Sequence, residues 1–146
     1  MAVRDQPYGA ANFLVDLGAG VELGFSQVVL PESRLDEVEY RNGSDKGREP
    51  RTLLGHPHTT NAVLRRGVTT SVDLYDWWRQ SRDGVTGVAR NVVVTLLDEE
   101  GVAQLRWLLR TARPVGYGFS PLDAASDGPL LEWIELDVEQ LDVEPT

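Results

Sequence analysis

The stretch of sequence that decides the fold is residues 90–110, which read RNVVVTLLDEEGVAQLRWLLR. In the first run, the apolar residues Val92, Val94 and Leu96 occupy every second position. In the second run, apolar residues again occupy every second position, at 105, 107 and 109. An alternation with period two is typical of a half-buried β-strand. The polar turn between the two runs ends in a glycine, so the stretch predicts an antiparallel hairpin with strands over 90–98 and 103–110.

The same period predicts further strands on both sides of this hairpin. In the last of them, Ile134, Leu136 and Val138 alternate with carboxylates and are expected to face inward. The other regions are 13–25, which we interpret as a second hairpin, a short strand near residues 38–40, and this last strand over 131–141.

One segment has a helical period instead, with apolar residues recurring three and four positions apart. Ser71 is a candidate N-cap before it, and Gly84 is a candidate terminator after it. We therefore predict one amphipathic helix over about residues 72–82, whose adjacent Trp77 and Trp78 cover part of a β-sandwich. The expected architecture is mainly β, with a single flanking helix.

Length and composition predict one domain over residues 1–146, with no disulfide because the chain has no cysteine. No apolar run approaches the roughly 18 residues that a membrane-spanning helix needs. The N-terminus lacks the apolar stretch of a secretory signal. We expect a soluble protein that is made in the cytoplasm and has no membrane span.

Charge is unevenly distributed along the chain, whose net charge is −9. Residues 1–113 contain 15 acidic and 14 basic residues, whereas residues 114–146 contain eight acidic residues and no basic one. The chain therefore has an acidic C-terminal end at 123–146. This balance argues against broad nucleic-acid binding, which requires a surplus of lysine and arginine.

Residues 42–60 are rich in glycine, proline and charged residues, and we interpret them as one long loop. Loops of this length are uncommon in compact domains and are usually functional or disordered. Leu53 and Leu54 lie in the middle of the stretch, where two leucines would have no role on a free loop. We expect this loop to fold against something.

The sequence contains no convincing catalytic or metal-binding constellation. His56 and His58 could both face a metal on an extended segment, but no third or fourth ligand is signalled nearby. Glu135, Asp137 and Glu139 follow one strand face, where a solvated or interface surface accounts for them better than a glycosidase pair does. We therefore predict a protein that is not an enzyme and that binds no cofactor or metal.

Several segments, read in order, resemble the tail-tube (inner tube) protein family of contractile phage tails and extracellular contractile injection systems. The resemblance extends over about residues 7–139 and includes the helix with its two tryptophans. The end of the chain is more acidic than is usual in that family, and Arg113 replaces an aromatic residue. The resembling segments are PYGAANFLV at 7–15, GFSQV at 24–28, EVEYRNG at 37–43, VLRRGVT at 63–69, RNVVVTLLDEEG at 90–101, WLLR at 107–110 and ARPV at 112–115.

The resemblance implies a β-sandwich or split β-barrel with one flanking helix, which assembles into hexameric rings stacked as a hollow tube inside a contractile sheath. The implied partners are further copies of the chain, the sheath protein, baseplate or spike proteins and tube-terminating proteins. Effector cargo or phage DNA would pass through the lumen without specific binding. Assembly would take place in the bacterial or host cytoplasm, and the product would be part of a phage tail or contractile injection particle.

Two alternatives stay open at this point. A tube-initiating or adaptor ring at the baseplate would share the fold, and so would a secreted ring that carries an effector, like the type VI secretion tube protein. The family implies that the helix, the strand edges and the long loop contact neighbouring subunits. Arg65 and Arg66 are candidates for salt bridges between subunits, with an exposed basic pair at a strand end as the alternative. The candidate interface residues are Arg48, Arg51, Leu53, Leu54, Arg65, Arg66, Trp77 and Trp78.

Overall fold

The structure is a computed structural model, and it describes residues 6–18, 22–40 and 51–146. These residues form ten strands and one helix. The elements are β1 Phe13–Asp16, β2 Glu22–Leu23, β3 Gln27–Val29, β4 Ser33–Tyr40, β5 Arg51–Thr59, β6 Ala62–Gly67, α1 Asp73–Arg82, β7 Arg90–Leu97, β8 Ala103–Phe119, β9 Leu131–Asp137 and β10 Gln140–Pro145.

The main sheet is antiparallel and has the strand order β2-β1-β7-β8-β9-β6-β3, with β10 paired to β8 beside this path. The long strand β8 serves two sets of neighbours. Its first half pairs with β7 and β10, and its second half pairs with β9. Among the described strands, β2 and β3 lie at the two ends of the order, so the sheet is open and not a closed barrel.

The two halves of β8 meet at Thr111, which has a positive φ of 53°. This conformation is costly for a β-branched residue. The side-chain oxygen of Asn91 accepts a hydrogen bond of 3.0 Å from the Thr111 backbone N–H and so stabilises the local geometry. A strand that changes neighbours in this way allows one continuous chain to contribute to both layers of a sandwich.

The core lies between these layers and draws buried side chains from five strands of the main sheet, which are β1, β6, β7, β8 and β9. The inward positions predicted for the last strand are confirmed, because Ile134, Leu136 and Val138 are all buried. The other buried apolar residues are Val15, Leu17, Phe25, Ala62, Leu64, Leu74, Trp77, Val92, Val94, Leu109 and Ala112.

The predicted hairpins are confirmed, since β7 pairs with β8 and β1 pairs with β2. The single flanking helix is also confirmed as α1, with Leu74 and Trp77 buried. Gly84 follows the helix with a φ of 73° and donates its N–H to the Ser81 carbonyl, as expected of a helix terminator.

Three local predictions were wrong. Ser71 is not the N-cap, because α1 has no side-chain cap and the Ser71 hydroxyl donates to the carboxylate of Asp73 instead. The predicted last strand over 131–141 is two strands, β9 and β10, which pair with different halves of β8.

The predicted loop over 42–60 was wrong for its second half, since residues 51–59 form strand β5 and pair with β4. A register irregularity sets Leu35 opposite Pro57 but Glu37 opposite Leu54, so β5 has one extra residue there. A bulge interrupts the alternation that identifies a strand from sequence. The first half of the predicted loop lies outside the described residues.

Candidate assembly surfaces

The hairpin of β4 and β5 is a two-stranded sheet separate from the main sheet. Within the described residues, β4 forms strand pairs only with β5, and β5 only with β4. Leu53 is 51% exposed and Leu54 is 71% exposed. Because consecutive strand residues point to opposite faces, the hairpin shows an apolar side chain on both of its faces. Leu35 on β4 is exposed as well.

These observations locate two of the predicted interface residues on an accessible surface. Leu53 and Leu54 stand on the exposed hairpin and have no place in the core. Arg51 begins β5, and Arg48 lies outside the described residues. Covering an exposed leucine side chain stabilises a protein by about 25 cal/mol per Å² of apolar surface removed from water. Leu53 and Leu54 do not gain this stabilisation unless something covers them.

The two adjacent arginines of β6 have different surroundings. Arg65 is half-buried, and its Nη1 donates a 2.7 Å hydrogen bond to Gln27 Oε1 on β3. Arg66 forms ion pairs inside its own subunit, with Asp73 at the start of α1 and with Glu132 on β9. Arg66 therefore joins elements of one subunit, and the inter-subunit role stays a prediction for Arg65.

The Arg66 cluster is the most deeply buried group of charges in the described residues. The Nε of Arg66 lies 2.7 Å from Glu132 Oε1, and their side chains are 11% and 4% exposed. Tyr117 Oη donates a 2.6 Å hydrogen bond to the other oxygen of Glu132. The cluster therefore connects β6, β8, β9 and α1, and each carboxylate oxygen of Glu132 has a partner.

The contacts shift the pKa values of Asp73, Arg66 and Tyr117. Burial by itself would raise the pKa of Asp73, but hydrogen bonds from Arg66 and Ser71 outweigh it and lower that pKa. Burial by itself would lower the pKa of Arg66, but the hydrogen bonds and charge attraction to Asp73 and Glu132 outweigh burial and raise that pKa. Burial and the hydrogen bond to Glu132 both raise the pKa of Tyr117. These shifts favour a charged Asp73, a charged Arg66 and a neutral Tyr117.

The two tryptophans of α1 also differ. Trp77 is 1% exposed, its Nε1 donates to the Val88 carbonyl at 2.8 Å, and Arg90 stacks over its ring at 4.7 Å. It is a core residue of its own subunit, which corrects its prediction as an interface residue. Trp78 packs against the core from a half-buried position.

Sequence reasoning missed a second apolar surface, which lies where β8 ends. Phe119 and Leu130 line a groove together with Leu122, which is 87% exposed. We call these three residues and Ser120 the 119–130 groove. The sequence signal was available, because a leucine between Pro121 and Asp123 in a polar connection is as unusual as Leu53 and Leu54 are in theirs.

The acidic C-terminal end is partly neutralised inside the subunit. Arg106 pairs with Glu144 at 2.6 Å, and Arg110 pairs with Asp142, in both cases across β8 and β10. With the Arg66–Glu132 pair, three of the eight C-terminal carboxylates have a cation partner. The described residues give no ion pair to the other five, which are Asp123, Asp127, Glu135, Asp137 and Glu139.

Within residues 6–18, 22–40 and 51–146, no group of three or more histidine and carboxylate side chains is arranged to hold a metal ion. His58 faces Asp36 across the β4–β5 hairpin, with 3.1 Å between Nδ1 and Oδ1. The same part of the chain contains no helix long and apolar enough to cross a membrane.

The sequence matches the family model described as T4-like virus tail tube protein gp19 over residues 9–142. This match covers most of the chain. The chain belongs to this tail tube protein family. No curated protein sequence matches it at a significant level.

Solved structures of contractile machines contain chains with the same fold. A chain in the six-fold symmetrised baseplate of the anti-feeding prophage has a TM-score of 0.81 and 24% identity, with 97% of each chain covered. A chain in the sheath–tube complex of the extracellular contractile injection system PVC has a TM-score of 0.82 and 22% identity, covering 97% of this tail tube protein and 94% of that chain.

The tail tube family fold also extends to a more distant group. Hcp1 from Flavobacterium johnsoniae has a TM-score of 0.56 and 15% identity, covering 92% of this chain and 96% of that one. At these identities the likeness establishes the fold, which is the expected tail-tube-like arrangement of antiparallel strands with one helix.

Proposed function

We propose that the chain is a structural subunit of an inner tube, in which rings of six copies stack into a hollow conduit inside a contractile sheath. The observation that carries this proposal is the match to the tail tube family over residues 9–142. Such a tube would meet a baseplate or spike at one end and a tube-terminating protein at the other. It would assemble in the bacterial or host cytoplasm and become part of a phage tail or injection particle.

The architecture of the subunit supports assembly. The sheet is open, and unpaired strand edges invite pairing with another chain unless they are covered. The β4–β5 hairpin carries exposed leucines away from the subunit's core. A ring of subunits would cover both features, and head-to-tail contacts that close produce such a ring.

We infer a structural role and not a catalytic one. The family is one of tube proteins, and a tube subunit needs shape and contacts and does not need reacting groups. The buried charges found in the subunit, around Arg66 and Glu132, are fully paired with one another and stabilise the fold. No cofactor is required for this role.

We propose further that part of the unpaired carboxylate excess faces the bore. Carboxylates repel the phosphates of DNA and most acidic cargo, so effectors or phage DNA would pass without specific binding. Asp123, Asp127, Glu135, Asp137 and Glu139 are the available groups. A reconstruction of the assembled tube with a neutral or basic lumen would contradict this proposal.

Two other functions share this fold. Chains that resemble this one occur in structures of the anti-feeding prophage baseplate and of its tube-terminating cap, with TM-scores of 0.81 in both cases. This supports an initiating or adaptor ring as the second candidate. The resemblance to Hcp1 supports a ring-shaped effector carrier as the third.

Negative-stain electron microscopy of the purified protein at high concentration, with mass measured by light scattering, separates these functions. A tube subunit is expected to give six-fold rings that stack into tubes, whereas a carrier stops at six subunits. An adaptor ring is expected to require the cognate baseplate ring and to add only one layer to it. A protein that stays monomeric at every concentration, and also with the baseplate ring added, would contradict all three functions.

A further inference from the structure

The sequence contains two aspartates that are followed directly by glycine. Asp127-Gly128 lies in the connection between β8 and β9, and Asp83-Gly84 follows α1. At such a pair the peptide bond can rearrange without an enzyme, because glycine has no Cβ to shield its nitrogen from the neighbouring carboxyl group. Both aspartates are exposed, and the Asp83 side chain is 53% exposed. Exposure therefore does not distinguish the two pairs, but their contacts do.

The end of α1 holds the main chain of Asp83-Gly84. The Asp83 N–H donates to the Arg79 carbonyl at 2.9 Å, and the Gly84 N–H donates to the Ser81 carbonyl at 3.2 Å. Asp83 has a ψ of 3°. This angle keeps its Cβ out of the plane of the following peptide, whereas closure of a ring between the side chain and that peptide requires Cβ to lie in the plane.

The carboxylate of Asp83 is held as well. Arg82 Nε donates a 3.0 Å hydrogen bond to Asp83 Oδ1, and this contact lowers the pKa of Asp83. Ring closure uses the neutral acid, from which a hydroxyl group can leave. The contact with Arg82 therefore reduces the fraction of Asp83 that can react.

Asp127-Gly128 lies in a less restrained part of the chain. The pair belongs to no helix or strand, and among the described residues it forms no backbone–backbone hydrogen bond. Asp127 also has no ion pair with any described residue. The Gly128 N–H donates to Ser126 Oγ at 3.2 Å, and rotation of that exposed side chain releases it. The pair can therefore rotate into a reactive geometry without breaking helix or sheet structure.

We propose that Asp127 is a site of spontaneous isomerisation to isoaspartate. The Gly128 nitrogen forms a bond to Cγ of Asp127, the bond between Cγ and its hydroxyl breaks, and that hydroxyl leaves with the amide proton as water. The product is a cyclic succinimide, which water then opens. Cleavage at Cγ restores aspartate, whereas cleavage at the main-chain carbonyl carbon leaves Gly128 joined to Cγ, which is isoaspartate. The reaction consumes no oxidant or reductant.

Isomerisation changes the surface beside this pair. Isoaspartate adds one carbon atom to the main chain between Leu122 and Leu130, and Gly128 lines the same depression as these two leucines. The shape of the 119–130 groove therefore changes as the protein ages, with no change in sequence. This chemistry does not depend on the proposed function.

Ageing of the wild-type chain tests the site. The folded protein is kept for several weeks at physiological temperature and mildly acidic pH, beside a sample unfolded in guanidinium chloride. Peptide mapping with electron-transfer fragmentation then separates isoaspartate from aspartate at each position. Asn42-Gly43, which lies outside the described residues, is followed by its own peptide.

The expected result is a preference that the fold creates. In the folded protein, Asp127 should isomerise at least about tenfold faster than Asp83, because Asp83 must first break its hydrogen bonds. In guanidinium chloride those bonds are absent, so the two rates should become similar.

Gly128→Ala is the matched variant. A Cβ atom at Gly128 would approach only Ser126 Oγ, at 3.8 Å, so the fold is expected to be unaffected, as urea unfolding would verify. The added methyl group shields the nitrogen at position 128. Isomerisation at Asp127 should therefore slow severalfold, while isomerisation at Asp83 stays unchanged.

Three outcomes would overturn the proposal. In the folded protein, equal rates at Asp127 and Asp83, or no isoaspartate at Asp127, would mean that the connection protects its pair as well as the helix end does. An equal preference for Asp127 in guanidinium chloride would place the cause in the sequence and not in the fold. An unchanged rate in Gly128→Ala would exclude attack by the Gly128 nitrogen. None of these results depends on assembly, so each leaves the proposed function standing.

Discussion

The Arg66 cluster and the β4–β5 hairpin differ in whether their side chains find partners within the same subunit. In the cluster, every charged side chain has a partner in the same subunit. Arg66 forms ion pairs with Asp73 and Glu132, and Tyr117 donates a hydrogen bond to the second carboxylate oxygen of Glu132. In the hairpin, Leu53 and Leu54 have no comparable cover. We propose that the subunit folds by itself around the first region and assembles through the second.

The largest effect is expected from Arg66→Met. It leaves the Glu132 carboxylate, which is 4% exposed, without its cation, and breaking a buried pair in this way costs about 3–5 kcal/mol of unfolding free energy. Urea unfolding at neutral pH measures the loss. The control is Arg106→Met, which breaks an exposed pair with Glu144 and is expected to cost at most about 1 kcal/mol.

The double variant Arg66→Met/Glu132→Leu sharpens this test, because it removes the unpaired charge. It should recover most of the stability that Arg66→Met loses. Equal losses of unfolding free energy in Arg66→Met and Arg106→Met would contradict the role of the cluster in stabilising the fold of the subunit.

A somewhat smaller loss is expected when the core is truncated. Leu136→Ala removes a fully buried side chain and should lower the unfolding free energy by about 2–5 kcal/mol. Leu122→Ala makes the same chemical change at an exposed position and should change the stability by less than about 0.5 kcal/mol. If thermal or urea unfolding shows similar losses for both, Leu122 is packed within the subunit and the groove is not free.

The smallest effect concerns pH. The pKa of Asp73 is lowered in the folded chain, so the unfolded chain binds the proton first as the pH falls. The stability from this group is therefore fully present above the ordinary aspartate pKa of about 3.9, and it is lost as the pH falls through the lowered value. Because Asp73 is about half exposed, Asp73→Asn should cost at most about 1 kcal/mol at pH 7.

That difference between wild type and Asp73→Asn should shrink toward zero in acid, as urea unfolding at several pH values would show. A difference that stays constant down to the lowest pH at which the chain folds would mean that the Asp73 carboxylate does not interact with Arg66 as a charge. In that case the cluster consists of Arg66, Glu132 and Tyr117 alone.

Much of the fold could be predicted from sequence because its signals are local. The β7–β8 hairpin and α1 follow from their hydrophobic periods, and Gly84 ends the helix as expected. The prediction failed for β5, where a bulge and Pro57 conceal the alternation. Such a strand is tolerated because its outer edge is not part of the main sheet.

The second half of β8 was missed for a different reason. Gly116 and Gly118 would normally argue against a strand, but the Trp133 indole lies over both of them. A Cβ atom at Gly118 would lie 2.6 Å from a Trp133 ring carbon, so the close approach requires glycine. A single sequence does not show this long-range contact.

The candidate surfaces were predictable only in part. Leu53 and Leu54 were identifiable because apolar residues in a polar stretch need cover, and the same reasoning applied to Leu122 would have found the groove. Arg66 and Trp77 were assigned to an interface because sequence does not show burial. Their partners, Glu132 and Val88, are distant or unremarkable in the sequence and become evident only in the fold.

The most direct test of the division between folding and assembly is a comparison of wild type with Leu53→Ser/Leu54→Ser, in which urea unfolding and assembly are measured on the same preparations. We predict unfolding midpoints that agree closely, together with rings or tubes for the wild type and monomers for the variant by light scattering and negative-stain microscopy. A variant that assembles as the wild type does, or one whose unfolding midpoint falls as far as that of Leu136→Ala, would contradict the account.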